Sequence, residues 1–354
     1  MNPDFLIIGG GVIGLATAFR LAADGAQVCI VERGASGAEA SWAGAGILAP
    51  LLPWQYPAAV TDLCQRGAAL YPDWIAAIEA ASGIAAQYWR CGMLILPPFD
   101  ATAAQIWCTR HQWPFETVSA ADYLAEANPA LWLADVAQVR NPRLIKSLRA
   151  AVVARGVKLL EHTEVTALSL AGRQVRNIST RSGKLSAHAY ITCAGAWSQQ
   201  LLANHPPAKT IKPMRGQILL FRTDPDYLRH IIYQQGIYIV PRADGHILVG
   251  STLEDVGFDK STTTDARQML IDTAFRLLPK LQTATLLRHW SGLRPGSPDN
   301  IPTIARHPVI DNLYLNAGHF RYGVTMAPVS ATLIADLVLG KVPELDMAAY
   351  RWGD

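Results

Sequence analysis

The sequence predicts an α/β fold in which a parallel sheet is combined with an inserted domain of antiparallel strands. The apolar stretch Phe5–Ile8 is followed by a glycine-rich turn, a helical stretch and a second apolar stretch at Val28–Val31, which together form a βαβ unit. Between residues 211 and 253 short strand patterns recur, separated by turn residues such as Asp244 and Gly245. Helical patterns on both sides of this region indicate that the chain returns to the first domain.

The remaining elements follow from periodicity and from stop residues. Helices are predicted over 15–24, 61–81 with a break near Pro72, 141–155, 264–278 and 323–339. Further strands are predicted at 157–160, 163–170, 189–193, 217–222, 237–241 and 247–250, whereas 85–140 shows no clear period. We therefore expect a discontinuous first domain, formed by 1–82, 141–205 and 290–354. The second domain would comprise 83–140 and 206–289.

Composition excludes several classes of protein. The chain has 354 residues, of which 17% are charged, and its net charge is 31 − 28 = +3, so neither nucleic acid nor an anionic membrane is expected as a partner. Its five cysteines are scattered without a C-x-x-C pair, and the histidines do not cluster, so no disulfide framework and no metal site are expected. The apolar run 5–23 follows Asp4, lacks a basic segment before it and is interrupted by glycines. We therefore expect a cytoplasmic protein without a signal peptide.

The glycine-rich turn is the first motif that indicates a chemical function. Gly9, Gly11 and Gly14 form a G-x-G-x-x-G motif between a strand and a helix, the context in which this motif binds a dinucleotide. The first glycine makes the turn, the second admits a pyrophosphate and the third lets the helix approach the strand. Glu32, eighteen residues after Gly14, stands where an acid should accept hydrogen bonds from the adenosine ribose. The motif alone fits NAD or FAD, but the small residues at 40–47 favour the longer FAD.

Several further motifs carry a family resemblance. In chain order they are the G-x-G-x-x-G motif, 41–46 (SWAGAG), 164–165 (EV), 193–198 (CAGAWS), 212–217 (KPMRGQ), 238–242 (YIVPR), 292–296 (GLRPG) and 318–323 (GHFRYG). With these motifs the chain resembles the D-amino-acid-oxidase-like FAD-dependent oxidoreductases, and within them the bacterial glycine oxidases. The resemblance covers nearly the whole length. It implies a Rossmann-like FAD-binding domain of the glutathione-reductase type with an inserted antiparallel-sheet substrate domain.

The resemblance also implies which residues would contact FAD. They are Val12 and Ile13 at the pyrophosphate, Glu32 and Arg33 at the adenosine, Val165 at the adenine, Ala40, Ser41, Ala45, Gly46 and Ile47 along the flavin, and His319, Phe320, Arg321, Tyr322, Gly323, Val324 and Thr325 around its pyrimidine side. Family members that bind the flavin covalently use a cysteine in the C-terminal part. The last cysteine here is Cys193, so non-covalent FAD is expected. Tyr322 departs from the glycine oxidase pattern, which leaves the substrate size open.

Three residues are the candidates for substrate binding. An arginine offers two parallel N–H donors to a carboxylate, and Arg294 and Arg321 are placed by the resemblance near the flavin. Tyr238 would bind the same carboxylate through its hydroxyl. His319 is interpreted as a loop residue rather than as an acid or a base.

The implied reaction is oxidation of glycine, sarcosine or a small D-amino acid by hydride transfer to FAD. Dioxygen would reoxidise the flavin and yield hydrogen peroxide, the imine would hydrolyse to a keto acid and ammonia, and the pathway would be thiazole formation for thiamine. One alternative is a dehydrogenase that passes electrons to a quinone or a protein. A second is the oxidase half of a tRNA-modifying enzyme, and a third is an FAD-binding protein without catalysis. The sequence leaves open whether the protein is a homo-oligomer.

Overall fold

The computed structural model describes residues 2–121 and 128–353. The α-helices in these ranges are α1 (Val12–Ala23), α2 (Ala40–Ala43), α3 (Ala58–Ser82), α4 (Ala101–Arg110), α5 (Asn141–Ala154), α6 (Ser198–Leu201), α7 (Thr264–Leu277) and α8 (Gly323–Val338). The strands are β1 (Phe5–Ile8), β2 (Val28–Val31), β3 (Trp89–Arg90), β4 (Met93–Ile95), β5 (Glu116–Ser119), β6 (Pro129–Leu133), β7 (Ala137–Gln138), β8 (Lys158–Leu160), β9 (Val165–Ala171), β10 (Gln174–Thr180), β11 (Gly183–Leu185), β12 (Ala189–Thr192), β13 (Lys212–Arg222), β14 (Ile231–Gln234), β15 (Ile237–Pro241), β16 (His246–Gly250), β17 (Thr285–Gly296), β18 (Thr303–Arg306) and β19 (Leu313–Ala317).

A six-stranded sheet in the order β18-β19-β12-β1-β2-β8 forms the first layer, which we call the parallel sheet. All neighbours in it run parallel except β18 and β19. Successive side chains of a strand point to opposite faces. Ile7 accordingly packs among α1, α3, α5 and α8, whereas Leu6 and Ile8 pack against the three-stranded sheet β11-β10-β9. Because both faces are covered, β1 and β2 are apolar throughout, as predicted.

A second sheet has the order β17-β13-β16-β15-β14-β4-β6-β5, and we call it the large sheet. Its neighbours are antiparallel except β4 and β14. One face carries α7, whose Leu270 packs beside Leu219 and Ile239. The opposite face, including Ile218 and Tyr238, packs against the segment that follows α2. The predicted α/β architecture with an antiparallel second sheet is thus confirmed, while the proposed domain boundaries stay a prediction.

The structure departs from the predicted elements in several places. α1 begins at Val12 rather than at residue 15, because Gly11 is already its N-cap. The break predicted near Pro72 is wrong: α3 is continuous, since buried residues on either side, including Leu63 and Ile75, hold it against the neighbouring helices. Residues 85–140 contain α4 and short strands of two to five residues, too short to show a period. Residues 122–127 of that interval lie outside the described residues.

Two further observations bear on the classes considered above. None of the helices in the described part of the chain is long and apolar enough to cross a membrane. The five cysteines are all free thiols, and four of them are buried.

Candidate active site

A long cavity of about 570 Å³ lies where the parallel sheet meets the large sheet. It opens beyond the carboxyl ends of β1, β2 and β12, where Ile8, Val31 and Cys193 line it. Ligands of open α/β sheets bind at this edge. On its other side the wall is formed by Ile218, Tyr238 and residues 292–295. Both sheets therefore contribute to one site.

The glycine-rich turn brings backbone atoms closer than side chains would allow. Gly9 has φ +111°, and a Cβ on it would lie 2.4 Å from the carbonyl oxygen of Cys193. A Cβ on Gly14 would lie 1.9 Å from the carbonyl oxygen of Gly9. Gly11, the N-cap of α1, contributes no side chain, and the first turn of the helix faces the cavity with Val12 and Ile13. This is a site for an anion such as a pyrophosphate.

Ser41 closes the turn from the opposite side. Its hydroxyl oxygen accepts a hydrogen bond from the backbone N–H of Val12 at 2.9 Å, and a Cβ on Gly11 would lie 3.2 Å from the same oxygen. The proton of the hydroxyl stays available to a phosphate oxygen. Ser41 thus lies at the helix N-terminus, beside Val12 and Ile13.

Two charged residues that follow β2, Glu32 and Arg33, line one end of the cavity. The carboxylate of Glu32 accepts backbone N–H groups of Gly10 at 2.7 Å and Gly34 at 2.9 Å, which leaves acceptor capacity for ribose hydroxyls. The guanidinium of Arg33 lies 3.5 Å from the ring centroid of Trp197 and pairs with Glu39 at 3.1 Å. Val165 and Trp197 also line this part. A flat aromatic or cationic surface of this kind suits an adenine ring.

The segment 40–47 fills the narrow space between the two sheets. Gly46 has φ +75°, and a Cβ on it would lie 2.0 Å from the carbonyl oxygen of Val139. The carbonyl of Ala45 accepts a hydrogen bond of 2.7 Å from buried Arg242. Ala40, Ala45 and Ile47 line the cavity together with this glycine. Small residues let the backbone form the wall, as a flat ring system requires.

The loop 318–325 forms the facing wall and leads into α8. Gly318 and Phe320 have φ +85° and +44°, which turns the loop toward the cavity. The hydroxyl of Thr325 donates to the carbonyl oxygen of Ile47 at 3.1 Å and so joins the two walls. α8 begins at Gly323, which lines the cavity with Val324. A helix N-terminus here favours negative charge on a bound ring.

His319 of this loop is buried and its Nε2 lies 2.9 Å from the hydroxyl of Ser330. Burial lowers the pKa of His319 to about 3. The ring is therefore neutral at physiological pH, which supports the interpretation of His319 as a loop residue rather than as an acid.

The guanidinium of Arg294 lies on the large-sheet side. It donates to the carbonyl oxygen of Thr252 at 3.2 Å and to the hydroxyl of Ser251 at 2.5 Å. It lies flat on Gly216, where a Cβ would be 2.2 Å from both Nη atoms. Burial lowers its pKa, the hydroxyl of Tyr238 opposes that effect by hydrogen bonding, and the charge of Arg321 adds to it. Arg294, Tyr238 and Arg321 thus share one part of the cavity.

Arg321 and Tyr322 occupy different environments. Arg321 is exposed, and none of the ion pairs within 2–121 and 128–353 includes it or Arg294. Tyr322 is buried: its hydroxyl accepts the backbone N–H of Leu51 at 3.4 Å, and its ring contacts that of Tyr56. Leu51 is itself a wall of the cavity. Tyr322 therefore fixes one wall, while Arg321 lines the cavity as an exposed cation whose guanidinium lies 5.5 Å from the centroid of the Phe320 ring.

The structure brings together nearly all residues that the sequence singled out. Of these, only Gly14 and Thr325 do not line the cavity and lie behind its wall. Sequence reasoning missed Trp197 and Gly216, although both belong to motifs quoted above. It also missed Ser251 and Thr252, which belong to no motif. The only sequence signal available for Gly216 was its place in the 212–217 motif.

A parallel sheet with a glycine turn, opening onto a long cavity that an antiparallel sheet completes, defines a dinucleotide-dependent oxidoreductase. The model of the DAO family, described as FAD dependent oxidoreductase, matches residues 4–337, and the chain belongs to this family. FAD is therefore its cofactor, and the glycine cradle, the helix N-terminus with the Ser41 hydroxyl and the small-residue wall fit such a group.

Three relatives illustrate the similarity. Glycine oxidase from Pseudomonas putida is 42% identical over 99% of this chain and 98% of its own. The bifunctional protein ThiO/ThiG from Trichormus variabilis is 34% identical over 96% of this chain and 53% of its own length. The crystal structure of glycine oxidase from Geobacillus kaustophilus has a TM-score of 0.93 at 27% identity, covering 99% of this chain and 98% of that one.

The neutral state of His319 predicts a pH dependence of stability. The unfolded chain takes up a proton near pH 6.5, whereas the folded protein does so only near pH 3, so folded stability falls as the pH drops between these values. One such group contributes a slope of up to about 1.4 kcal/mol per pH unit. Urea unfolding at pH 7.5 and 5.0, with FAD in fixed excess, should show a smaller pH effect in His319→Gln than in the wild type. An equal pH effect in both proteins would contradict the assignment.

Proposed function

We propose that this protein is an FAD-dependent amino acid oxidase of the glycine oxidase type, acting on glycine, sarcosine and small D-amino acids. The observation that carries the proposal is that Arg294 and Tyr238 both line the cavity that fits the flavin. A fork of N–H donors beside a hydroxyl, with no paired carboxylate in the described residues, suits the carboxylate of an amino acid. The glycine oxidase relatives support this substrate class.

The residues of the chain contribute mainly by positioning. FAD held by these residues would supply the redox chemistry, by which two electrons and two protons of the substrate amine would reach dioxygen and yield the imine and hydrogen peroxide. Arg294 and Tyr238 hold the carboxylate, which directs the α-carbon toward the wall formed by 45–47 and 319–324. Described carboxylates that line the cavity are Glu32, Glu39 and Glu164, and all lie near the parallel sheet. The protein then lowers the activation barrier mainly by orienting the substrate.

The pathway and the mode of flavin binding extend this proposal. The bifunctional ThiO/ThiG relative supports the thiamine-pathway role that the resemblance implies.

For the flavin we propose non-covalent binding. Cys193 lies beside the turn at Gly9, away from the wall at 45–47, and burial raises the pKa of its thiol to about 12. Such a thiol is protonated and unreactive at neutral pH.

The binding mode predicts how the flavin leaves the protein. Acid precipitation of the yellow holoprotein should release all flavin into the supernatant as FAD, which absorbance and chromatography would measure. Flavin that stays in the precipitate would show a covalent link and would refute this part of the proposal.

The carboxylate anchor predicts a stereochemical preference. With carboxylate and amine fixed, only one hand of an amino acid presents its α-hydrogen to the flavin. Anaerobic mixing should show flavin reduction by glycine, sarcosine, D-alanine and D-proline but not by L-alanine, and air should then yield peroxide. Equal reduction by the two alanines would contradict the binding pose. Reduction without oxygen consumption would identify a dehydrogenase instead.

Arg294→Ala should act selectively on carboxylate substrates. Removing one partner of a buried charge pair costs roughly 2–5 kcal/mol, which is about 30-fold to several thousand-fold in kcat/KM for glycine. Arg294→Lys should restore only part of the activity, because an ammonium group lacks the two parallel N–H donors of a guanidinium. An amine without a carboxylate, such as ethylamine, should lose far less.

A matched control for this experiment is Arg288→Ala, on the same strand but exposed, which should leave both substrates unaffected. An equal loss for glycine and ethylamine in Arg294→Ala would mean that Arg294 supports the wall of the cavity rather than the substrate.

A further inference from the structure

Residues 251–263, between β16 and α7, form a segment that contacts Arg294 and has no regular secondary structure beyond an isolated bridge. Its first two residues provide two acceptors for the Arg294 guanidinium, the hydroxyl of Ser251 and the carbonyl of Thr252. The direction of the Arg294 fork therefore depends on where this segment lies.

The segment is tied to β13 by one buried cation. The side chain of Arg215 is 5% exposed and pairs with Glu254 at 2.5 Å and with Asp259 at 2.6 Å. It also donates to the hydroxyl of Ser261 at 3.2 Å. The backbones of Arg215 and Glu254 exchange two hydrogen bonds, of 2.9 and 3.0 Å. Arg215 thus fastens the segment at its beginning and near its end.

Gln217, two residues further along β13, makes a second set of ties. Its backbone N–H donates to the hydroxyl of Thr252 at 2.9 Å, and its side-chain amide donates to Glu254 at 2.9 Å. The amide oxygen accepts the N–H of Thr263 at 2.9 Å. Gln217 is fully buried. Arg215 and Gln217 point to the same side of the strand, because side chains alternate along it.

Polar contacts hold most of the segment. Its large apolar side chains, Leu253, Val256 and Phe258, are exposed, although the Phe258 ring lies 5.4 Å from that of Trp197. Desolvation would raise the pKa of Glu254, but hydrogen bonds from Thr252, Arg215 and Gln217 outweigh it and the pKa lies below its usual value. Glu254 is therefore ionised at neutral pH, and the attraction to Arg215 persists there.

We propose that Arg215 and Gln217 are positioning residues that fix the 251–263 segment and thereby aim the Arg294 guanidinium at the substrate carboxylate. The inference rests on the proposed role of Arg294. Neither Arg215 nor Gln217 lines the cavity, whereas Ser251 of the segment does. Each of the two residues therefore acts on the substrate only through the segment and Arg294. Substitution of either Arg215 or Gln217 should let the Arg294 guanidinium move from its position without removing its charge.

The test compares holoproteins carrying Arg215→Met, Arg294→Ala and both substitutions. The probe is acetate, a carboxylate with nothing to oxidise, whose dissociation constant is measured by perturbation of flavin absorbance. KM and kcat for glycine are measured in parallel. Arg222→Met is the matched control, since Arg222 lies at the far end of β13 and is exposed.

Arg215→Met should raise the acetate dissociation constant and the KM for glycine about 10- to 100-fold, with a smaller effect on kcat and FAD retained. In the Arg294→Ala background the same substitution should change binding less than about twofold, because coupled residues are not additive. Arg222→Met should have no effect. Asp259→Asn, whose parent side chain is half exposed, should weaken acetate binding about two- to fivefold and provides the test if Arg215→Met does not fold.

Two results would overturn the inference alone: unchanged acetate binding in Arg215→Met, or losses that add fully in the double variant. If Arg294→Ala itself left acetate binding unchanged, the carboxylate anchor of the proposed function would fail, and the positioning role would fail with it. The single and double variants therefore distinguish the two failures.

Discussion

The close packing of the 40–47 segment between the two sheets is the constraint on which the rest of the structure depends. At this contact Gly46 meets the carbonyl of Val139, and Gly292 on β17 faces Ala43, where a Cβ would lie 2.5 Å from that methyl group. Larger side chains at Gly46 or Gly292 would push the 40–47 segment away from Val139 and from β17. Steric exclusion in a few places thus sets the width of a site whose walls come from distant parts of the chain.

Charge is distributed unevenly along the same cavity. Glu32, Glu39 and Glu164 line one end together with Arg33, while Arg294 of the large sheet and Arg321 of the 318–322 loop line the part near Tyr238. Arg242 adds a third guanidinium, buried behind Ala45 and bonded to the carbonyls of Ala45 and Val139 and to the side chain of Gln138. These acceptors are uncharged and offset only part of the desolvation cost of the buried guanidinium. Burial accordingly lowers the pKa of Arg242 to about 9. The part near Tyr238 is therefore electropositive and favours anions.

Local sequence was enough to predict the parts of the fold that are themselves local. The βαβ unit and the turn at Gly9 follow from adjacent residues, because strand, turn and helix there are consecutive. The position of Arg294 was predicted by family resemblance, but its acceptors were not. Ser251 and Thr252 are placed by Arg215 and Gln217 on another strand, and a contact between distant, aperiodic residues leaves no pattern in one sequence. α3 likewise passes through Pro72 because tertiary packing outweighs a local preference.

The cavity shared by the two sheets has a thermodynamic consequence. A ligand that fills it touches both sheets at once and acts as a bridge between them. Since such a ligand binds the folded chain and not the unfolded one, mass action makes the melting temperature rise with its free concentration. FAD is thus a structural component of this protein as well as its redox group, and the fraction of chains carrying it determines how stable a preparation is.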